Sequence, residues 1–221
     1  RTALCCAGEG LTYDQLRRLV AATARRVCEQ GVRSIAFLDV NGPAAAVAMY
    51  AAARAEVPYA PLSYRLGRGE IESLLERLDA PLIVAAPSQL EGLRLPDGAC
   101  LTRPEALLQA PEADSPTFAV EPDPEAIAIQ LFTSGTTGAP KAAVLRHAHL
   151  SAYVLATVEF GGADEEEAAL IAVPPYHVAG IAALLSSTYS GRRMAILPEF
   201  DPAAWLALAA VERVTQAFLV P

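Results

Sequence analysis

At 221 residues, the chain has room for one sizeable domain or two small ones. Hydrophobic residues make up 53% of it and charged residues 19%, enough for a buried core and unlike a disordered chain. The net charge of −8 argues against general nucleic-acid binding, because a polyanion is repelled outside any local basic patch. No apolar run approaches the ~20 residues of a membrane span, and no secretory signal opens the chain. Cys5, Cys6, Cys28 and Cys100 show neither Cys-x-x-Cys pairing nor a zinc-spaced histidine, so they read as reduced thiols of a cytoplasmic protein.

Thr12 with Gln15 three residues later predicts a capped helix. Leu16, Leu19, Val20, Thr23 and Val27 form its apolar face, and Gly31 its stop. A strand is expected over 34–39, then a helix opened by Gly42-Pro43 and running to about Ala55. Tyr59 to Leu62 reads as a short strand, Ile71, Leu74, Leu75 and Leu78 as a third helix, and Leu82 to Ala86 as a strand. Strands and helices alternating at this spacing imply an α/β fold, doubly wound, with mostly parallel sheets flanked by helices.

Between Pro87 and Pro124 prolines interrupt the pattern, leaving a short helix candidate at Ala106 to Ala110. This stretch reads as a surface excursion rather than an independent domain. It divides the chain into a first α/β portion, residues 1–124, and a second, residues 125–221. In the second, Ala126 to Phe132 reads as a strand and Ala142 to Leu145 as its return, which would make a hairpin. A helix is expected from Leu150 to about Glu159, then a solvated acidic loop at Asp164 to Glu167. The remaining elements are a strand (Ala169 to Val173), a helix (Val178 to Tyr189), a strand (Met194 to Leu197), a helix opened by Asp201-Pro202, and a strand (Gln216 to Val220).

The chemistry concentrates between the two strands of the hairpin. Thr133-Ser134-Gly135-Thr136-Thr137-Gly138-Ala139-Pro140-Lys141 combines hydroxyls, glycines and a lysine directly after an apolar run. Glycines let backbone N–H groups approach an anion, hydroxyls add short hydrogen bonds, and lysine supplies positive charge. A Walker loop needs Gly-Lys-Ser/Thr, whereas here Gly138 is followed by Ala139, Pro140, Lys141 and Ala142. A bland surface turn accounts for the composition but not for the ordered string.

That string resembles the phosphate-binding signature of the adenylate-forming (AMP-binding) superfamily, which comprises acyl-CoA synthetases, aryl-CoA ligases, luciferases and peptide-synthetase adenylation domains. One departure is Ala142, where the family usually has glycine. The resemblance implies that a carboxylic acid, taken here as a fatty acid, is activated with ATP and Mg²⁺ to an acyl-adenylate. The acyl group then passes to CoA. Thr133, Ser134, Gly135, Thr136, Thr137, Gly138 and Lys141 would hold the phosphates, with Lys141 also catalytic.

A second block, Pro174-Pro175-Tyr176-His177-Val178-Ala179-Gly180, lies at a strand-to-helix corner, where open α/β sheets place ligands. Position alone leaves His177 open between a packed or capping residue and a functional one. By the resemblance, His177 would lie beside the carboxylate as the second catalytic residue. Tyr176 would shape the pocket wall, and Gly180 would let the helix pack close to the acyl tunnel. Ile181, Ala182, Leu184 and Leu185 are tunnel candidates whose simpler reading is core. His147 and His149 lack a companion carboxylate or cysteine, so no metal site is assigned. Arg65 and Arg68 are tied to no ligand.

The resemblance also covers Leu11-Thr12-Tyr13 and Pro58-Tyr59-Ala60-Pro61-Leu62. Family members run to roughly twice this length or more, beyond a typical single domain. They carry a Tyr-Gly-x-Thr-Glu motif, a ribose-binding aspartate and a small C-terminal domain, none of which is found here. The chain is therefore expected to be part of the large N-terminal domain, inactive alone. The expected partners are the acid, ATP and CoA or a carrier protein, with no nucleic acid. Two alternatives are an adenylation domain serving a carrier protein, against which stands the lack of an aspartate in Val178 to Thr188, and a non-catalytic nucleotide-binding module.

Overall fold

The computed structural model describes residues 1–109, 123–133 and 141–219. Strands β1 (Thr2–Cys6) and β2 (Glu9–Thr12) form a hairpin whose two turn residues, Ala7 and Gly8, both have positive φ, as a tight hairpin turn requires. Thr12 ends β2 and caps α1 (Tyr13–Glu29): its hydroxyl accepts from the Gln15 N–H, and Gln15 Oε1 accepts from the Thr12 N–H. Leu16, Leu19, Val20, Thr23 and Val27 are all buried, as their spacing requires. Then come β3 (Ser34–Leu38), α2 (Pro43–Arg54), β4 (Tyr59–Pro61), α3 (Arg68–Leu75) and β5 (Pro81–Ala85).

The proline-punctuated stretch holds more order than its composition suggests. It contains α4 (Pro87–Leu90), strand β6 (Cys100–Thr102) and α5 (Pro104–Leu107), the last starting two residues before the expected helix. Three residues of β6 are too few to show a period, yet they pair in parallel with β5. Next follow β7 (Ile127–Thr133), β8 (Lys141–Arg146), α6 (His147–Thr157), β9 (Ala168–Ile171), α7 (Val178–Ser190), β10 (Arg193–Ile196), α8 (Pro202–Val211) and β11 (Gln216–Ala217). The acidic run before β9 is not wholly solvated. Glu167 pairs with Arg192 at 2.8 Å, and Arg192 is only 8% exposed.

Two sheets result, with strand orders β11-β9-β10-β1-β2 and β6-β5-β3-β4-β7-β8. Pairing is parallel except at one edge of each sheet, where β2 and β8 run antiparallel. Helix α2 lies in the main core beside residues of both sheets, Leu4 and Met194 from one and Ile35, Phe37 and Ile129 from the other. Six of its seven alanines (Ala44, Ala45, Ala46, Ala48, Ala51 and Ala52) are buried, so their small side chains set how closely the layers approach. A larger residue at Ala48 would overpack this layer, at about 1–3 kcal/mol. Helix α3 covers the opposite face of the second sheet, burying Ile71, Leu74 and Leu75 against Ala36, Ala60 and Ile83. The expected doubly wound α/β arrangement is present. Consequently the C-terminal ends of β3, β4, β7, β9, β10 and β11 supply the segments that build the site.

Candidate functional site

Strands β7 and β8 form the expected hairpin, with Phe132 opposite Ala142 and Thr133 opposite Lys141. The Thr133 hydroxyl donates to the Lys141 carbonyl at 3.4 Å. Burial of Ala128, Ile129 and Leu131 anchors β7, while Thr133 and Lys141 are exposed. The hairpin therefore presents both ends of the hydroxyl- and glycine-rich string to solvent. Ser134, Gly135, Thr136, Thr137 and Gly138 lie outside the described residues.

The second block forms the corner after β9. The His177 N–H donates to the Pro174 carbonyl at 3.1 Å, and the His177 carbonyl accepts from the Gly180 N–H at 3.0 Å, so a loop turn runs directly into α7. His177 is the N-cap residue of α7, with its side chain left exposed. Gly180 is buried, and a Cβ there would stand 3.0 Å from the Pro174 carbonyl oxygen and 3.2 Å from that of Val173. The missing side chain lets α7 pack against its own preceding corner. Along α7, Ile181 and Leu184 are core residues, at 2% and 4% exposure, whereas Ala182 and Leu185 are only partly buried.

The structure brings the two blocks together. A cleft of about 450 Å³ is lined by Thr133 at the end of β7, by Tyr176, His177 and Val178 at the corner, and by Ser63 and Leu66 after β4. A neighbouring cleft of about 490 Å³ shares His177 and Val178 and is lined further by Tyr64, Arg65, Glu199, Phe200, Phe218 and Leu219. His177 thus stands between the hairpin end and a largely apolar cleft.

A set of ring contacts supports it. Tyr176 packs on His177, ring centroids 4.8 Å apart, and Tyr64 meets Tyr176 edge-on at 5.8 Å. The Tyr64 hydroxyl donates to Glu199 Oε1 at 3.1 Å, and the Arg65 guanidinium lies 5.7 Å from the Tyr64 ring centroid and 4.0 Å from the same carboxylate oxygen. Burial and the adjacent Glu199 carboxylate push the Tyr64 hydroxyl above the usual phenol range.

Asn41, Tyr64 and Glu199 are among the residues of this arrangement that escaped the sequence reading. Asn41, 3% exposed, donates through Nδ2 to the carbonyls of Ile171 (3.1 Å) and Val173 (3.4 Å), the backbone leading into the corner. A lone asparagine before Gly-Pro carries a turn signal and nothing more. Arg65, untied to any ligand by sequence, lies on the cleft, whereas Arg68 points its guanidinium at the Glu91 carbonyl (3.4 Å). His149 accepts through Nδ1 from the Arg146 N–H at 3.2 Å, a local bond at the start of α6. His147 lines a separate cavity of about 350 Å³ between α2, α6 and α7. Among the described residues, no three His, Cys, Asp or Glu side chains converge as a metal site. Nor is any helix among them long and apolar enough to cross a membrane.

Comparison with known proteins adds independent evidence. The family described as AMP-binding enzyme matches residues 1–221. A feruloyl-CoA synthase of Amycolatopsis sp is 32% identical, over all of this chain and 45% of the relative. An indoleacetate–CoA ligase of Aromatoleum aromaticum is 28% identical, over all of this chain and 47% of the relative. Among solved structures, ATP-bound MatB from Rhodopseudomonas palustris superposes with a TM-score of 0.82 at 26% identity, over 98% of this chain and 46% of that one. The chain therefore spans about half the length of the proteins it matches.

Proposed function

Since the chain belongs to the AMP-binding enzyme family, we propose that the protein carrying it activates a carboxylic acid with ATP and passes the acyl group to coenzyme A. The observation that carries this reading is the shared cleft. Thr133, the first residue of the phosphate-binding string, and His177 of the corner line one and the same cavity. A nucleotide held by the string would present its α-phosphate to an acid held at the corner.

In the first half-reaction a carboxylate oxygen attacks the α-phosphorus, the bond to the β-phosphate breaks, and pyrophosphate leaves. Thr133 and Lys141, with the residues between them, neutralise the leaving phosphates. His177, exposed at its cap position, donates a hydrogen bond to the carboxylate and so reduces repulsion between two anions. In the second, the CoA thiol attacks the acyl carbonyl and AMP departs. Most of the acceleration comes from positioning, because no covalent protein intermediate is needed. The Thr133 hydroxyl and the Lys141 carbonyl at the hairpin end are hard oxygen donors that would suit Mg²⁺ bound through the nucleotide, which would neutralise phosphate charge.

The relatives named above act on feruloyl and indoleacetate groups, which favours an aryl-substituted acid over the fatty acid suggested by the resemblance alone. The chain covers less than half of each relative, so the complete reaction belongs to the protein that carries it. The isolated 221 residues are not expected to sustain it.

The test is ATP–pyrophosphate exchange and CoA-thioester formation by the protein that carries this chain, against aryl, fatty and amino acids. Exchange and thioester with aryl acids are expected. Exchange with amino acids and no thioester would transfer the reading to carrier-protein loading. The absence of exchange with every acid would sink it.

A further inference from the structure

Away from the His177 clefts, α6 and the C-terminal halves of α2 and α7 enclose a second hollow, the cavity of about 350 Å³ that His147 lines. Met49, Ile129 and Val154 are its buried floor, and Leu155 stands at its rim, 67% exposed. Its wall on α7, from Leu185 to Tyr189, lies about 12–18 Å along the helix from His177, so the hollow is no part of the reacting site.

We propose that this cavity binds an apolar monocarboxylic acid, its carboxylate at His147 and its body along Met49, Ile129 and Leu185, bracing α2 against α7. The lining selects the ligand. Among the described residues that line the cavity there is no Asp or Glu, so an ammonium group finds no counter-charge. None of the described residues hydrogen-bonds the His147 imidazole, which therefore keeps an N–H for an acceptor. His147 opens α6, an 11-residue helix whose N-terminal end favours negative charge. The backbone N–H groups of His147 and Ala148 already donate to the Ala126 and Pro124 carbonyls, so the imidazole carries the contact.

The wall opposite α6 is already tied across the two helices. The Tyr50 hydroxyl of α2 lies 2.8 Å from Thr188 Oγ1 and 3.2 Å from the Leu184 carbonyl, both on α7. An occupant adds apolar contact to that seam. Helix α2 begins two residues after Asn41, and α7 begins directly after His177, so the bridged helices start at the edge of the reacting site. The volume is at the small end for ligand sites and suits a medium-chain acid such as decanoate.

The test is binding of decanoate to the protein that carries this chain, with decanol and decylammonium as controls, and photocrosslinking by a decanoate bearing a terminal diazirine. Decanoate is expected to raise the melting temperature. The label is expected on the α2 peptide containing Met49 and Tyr50, neither of which lines the clefts at His177. His147→Ala is expected to weaken decanoate about tenfold and to leave decanol unchanged. Ala53→Phe, which fills the cavity from α2, is expected to abolish the label; should that variant fail to fold, His147→Ala decides. Label confined to the His177 clefts, label retained in folded Ala53→Phe, decylammonium binding as tightly as decanoate, or unchanged affinity in His147→Ala overturns the assignment. So does self-association through Leu155 with no decanoate bound, which would make this face an interface between copies. No arm requires turnover, so failure of the ligase reading and failure of this one are separate results.

Discussion

The side-chain amide of Asn41 donates to the Ile171 carbonyl at 3.1 Å, joining the end of β3 in one sheet to the end of β9 in the other. The same nitrogen lies 3.4 Å from the Val173 carbonyl, and the Asn41 N–H donates to Pro198 beyond β10 at 3.2 Å. One buried residue therefore ties together the strand ends from which both the His177 corner and the Glu199 loop depart. Asn41→Ala should lower stability by about 0.5–1.5 kcal/mol, since it removes the side-chain donor to the Val173 carbonyl and leaves the Ile171 carbonyl with the Leu197 N–H alone. Chemical denaturation measures that loss. A fall in kcat for adenylation should accompany it, and a variant as stable as the wild type would rule out the clamp.

Gly180→Ala tests how closely α7 approaches its corner. The added Cβ would meet two backbone carbonyl oxygens at 3.0 and 3.2 Å, and neither can rotate away as a side chain would. The expected cost is about 1–3 kcal/mol, with a reduced kcat/KM because His177 starts the same helix. Thermal melts and exchange kinetics together give the answer. Full stability would mean that the corner relaxes freely.

His177→Ala should act on chemistry and not on folding, because the side chain is exposed and its cap position is held by backbone bonds. Loss of a hydrogen bond to developing charge predicts about a hundredfold lower kcat for pyrophosphate exchange, at unchanged melting temperature. Lys141→Ala should instead weaken ATP binding, read as a higher KM for ATP. Near wild-type kcat in His177→Ala would remove His177 from the mechanism.

Acid should loosen the contact between the Glu167 loop and the end of α7. The Arg192 guanidinium, and then the Asp164 N–H, hold the Glu167 carboxyl below its ordinary value of about 4.5. Because the folded-state value is depressed, the stabilisation is present above the unfolded value and is lost as pH falls through the folded one. Glu72 behaves alike, its carboxylate accepting from the Arg94 N–H at 2.9 Å. Glu167→Gln should therefore flatten the decline of melting temperature below about pH 4.5. Parallel curves for variant and wild type between neutral and acid pH would refute this.

Spacing along the chain determined whatever depends on near neighbours. Thr12 and Gln15 fixed the start of α1, Pro43 opened α2, and the apolar run before Thr133 foretold β7 and its hairpin. The Pro174 to Gly180 block was legible as a strand-to-helix corner, since turn and cap chemistry is local. Only the tertiary structure decided which distant segments meet. Leu4 pairs with Met194, and Tyr64 reaches Glu199, across separations over which no hydrophobic period extends. Strand pairing and cross-sheet polar contacts arise from packing the layers together, so a buried Asn41 or a cleft-lining Arg65 looks, in one dimension, like any turn residue. The two short strings that carry the proposed reaction class were legible in sequence; the cleft that both Thr133 and His177 line exists only in three dimensions.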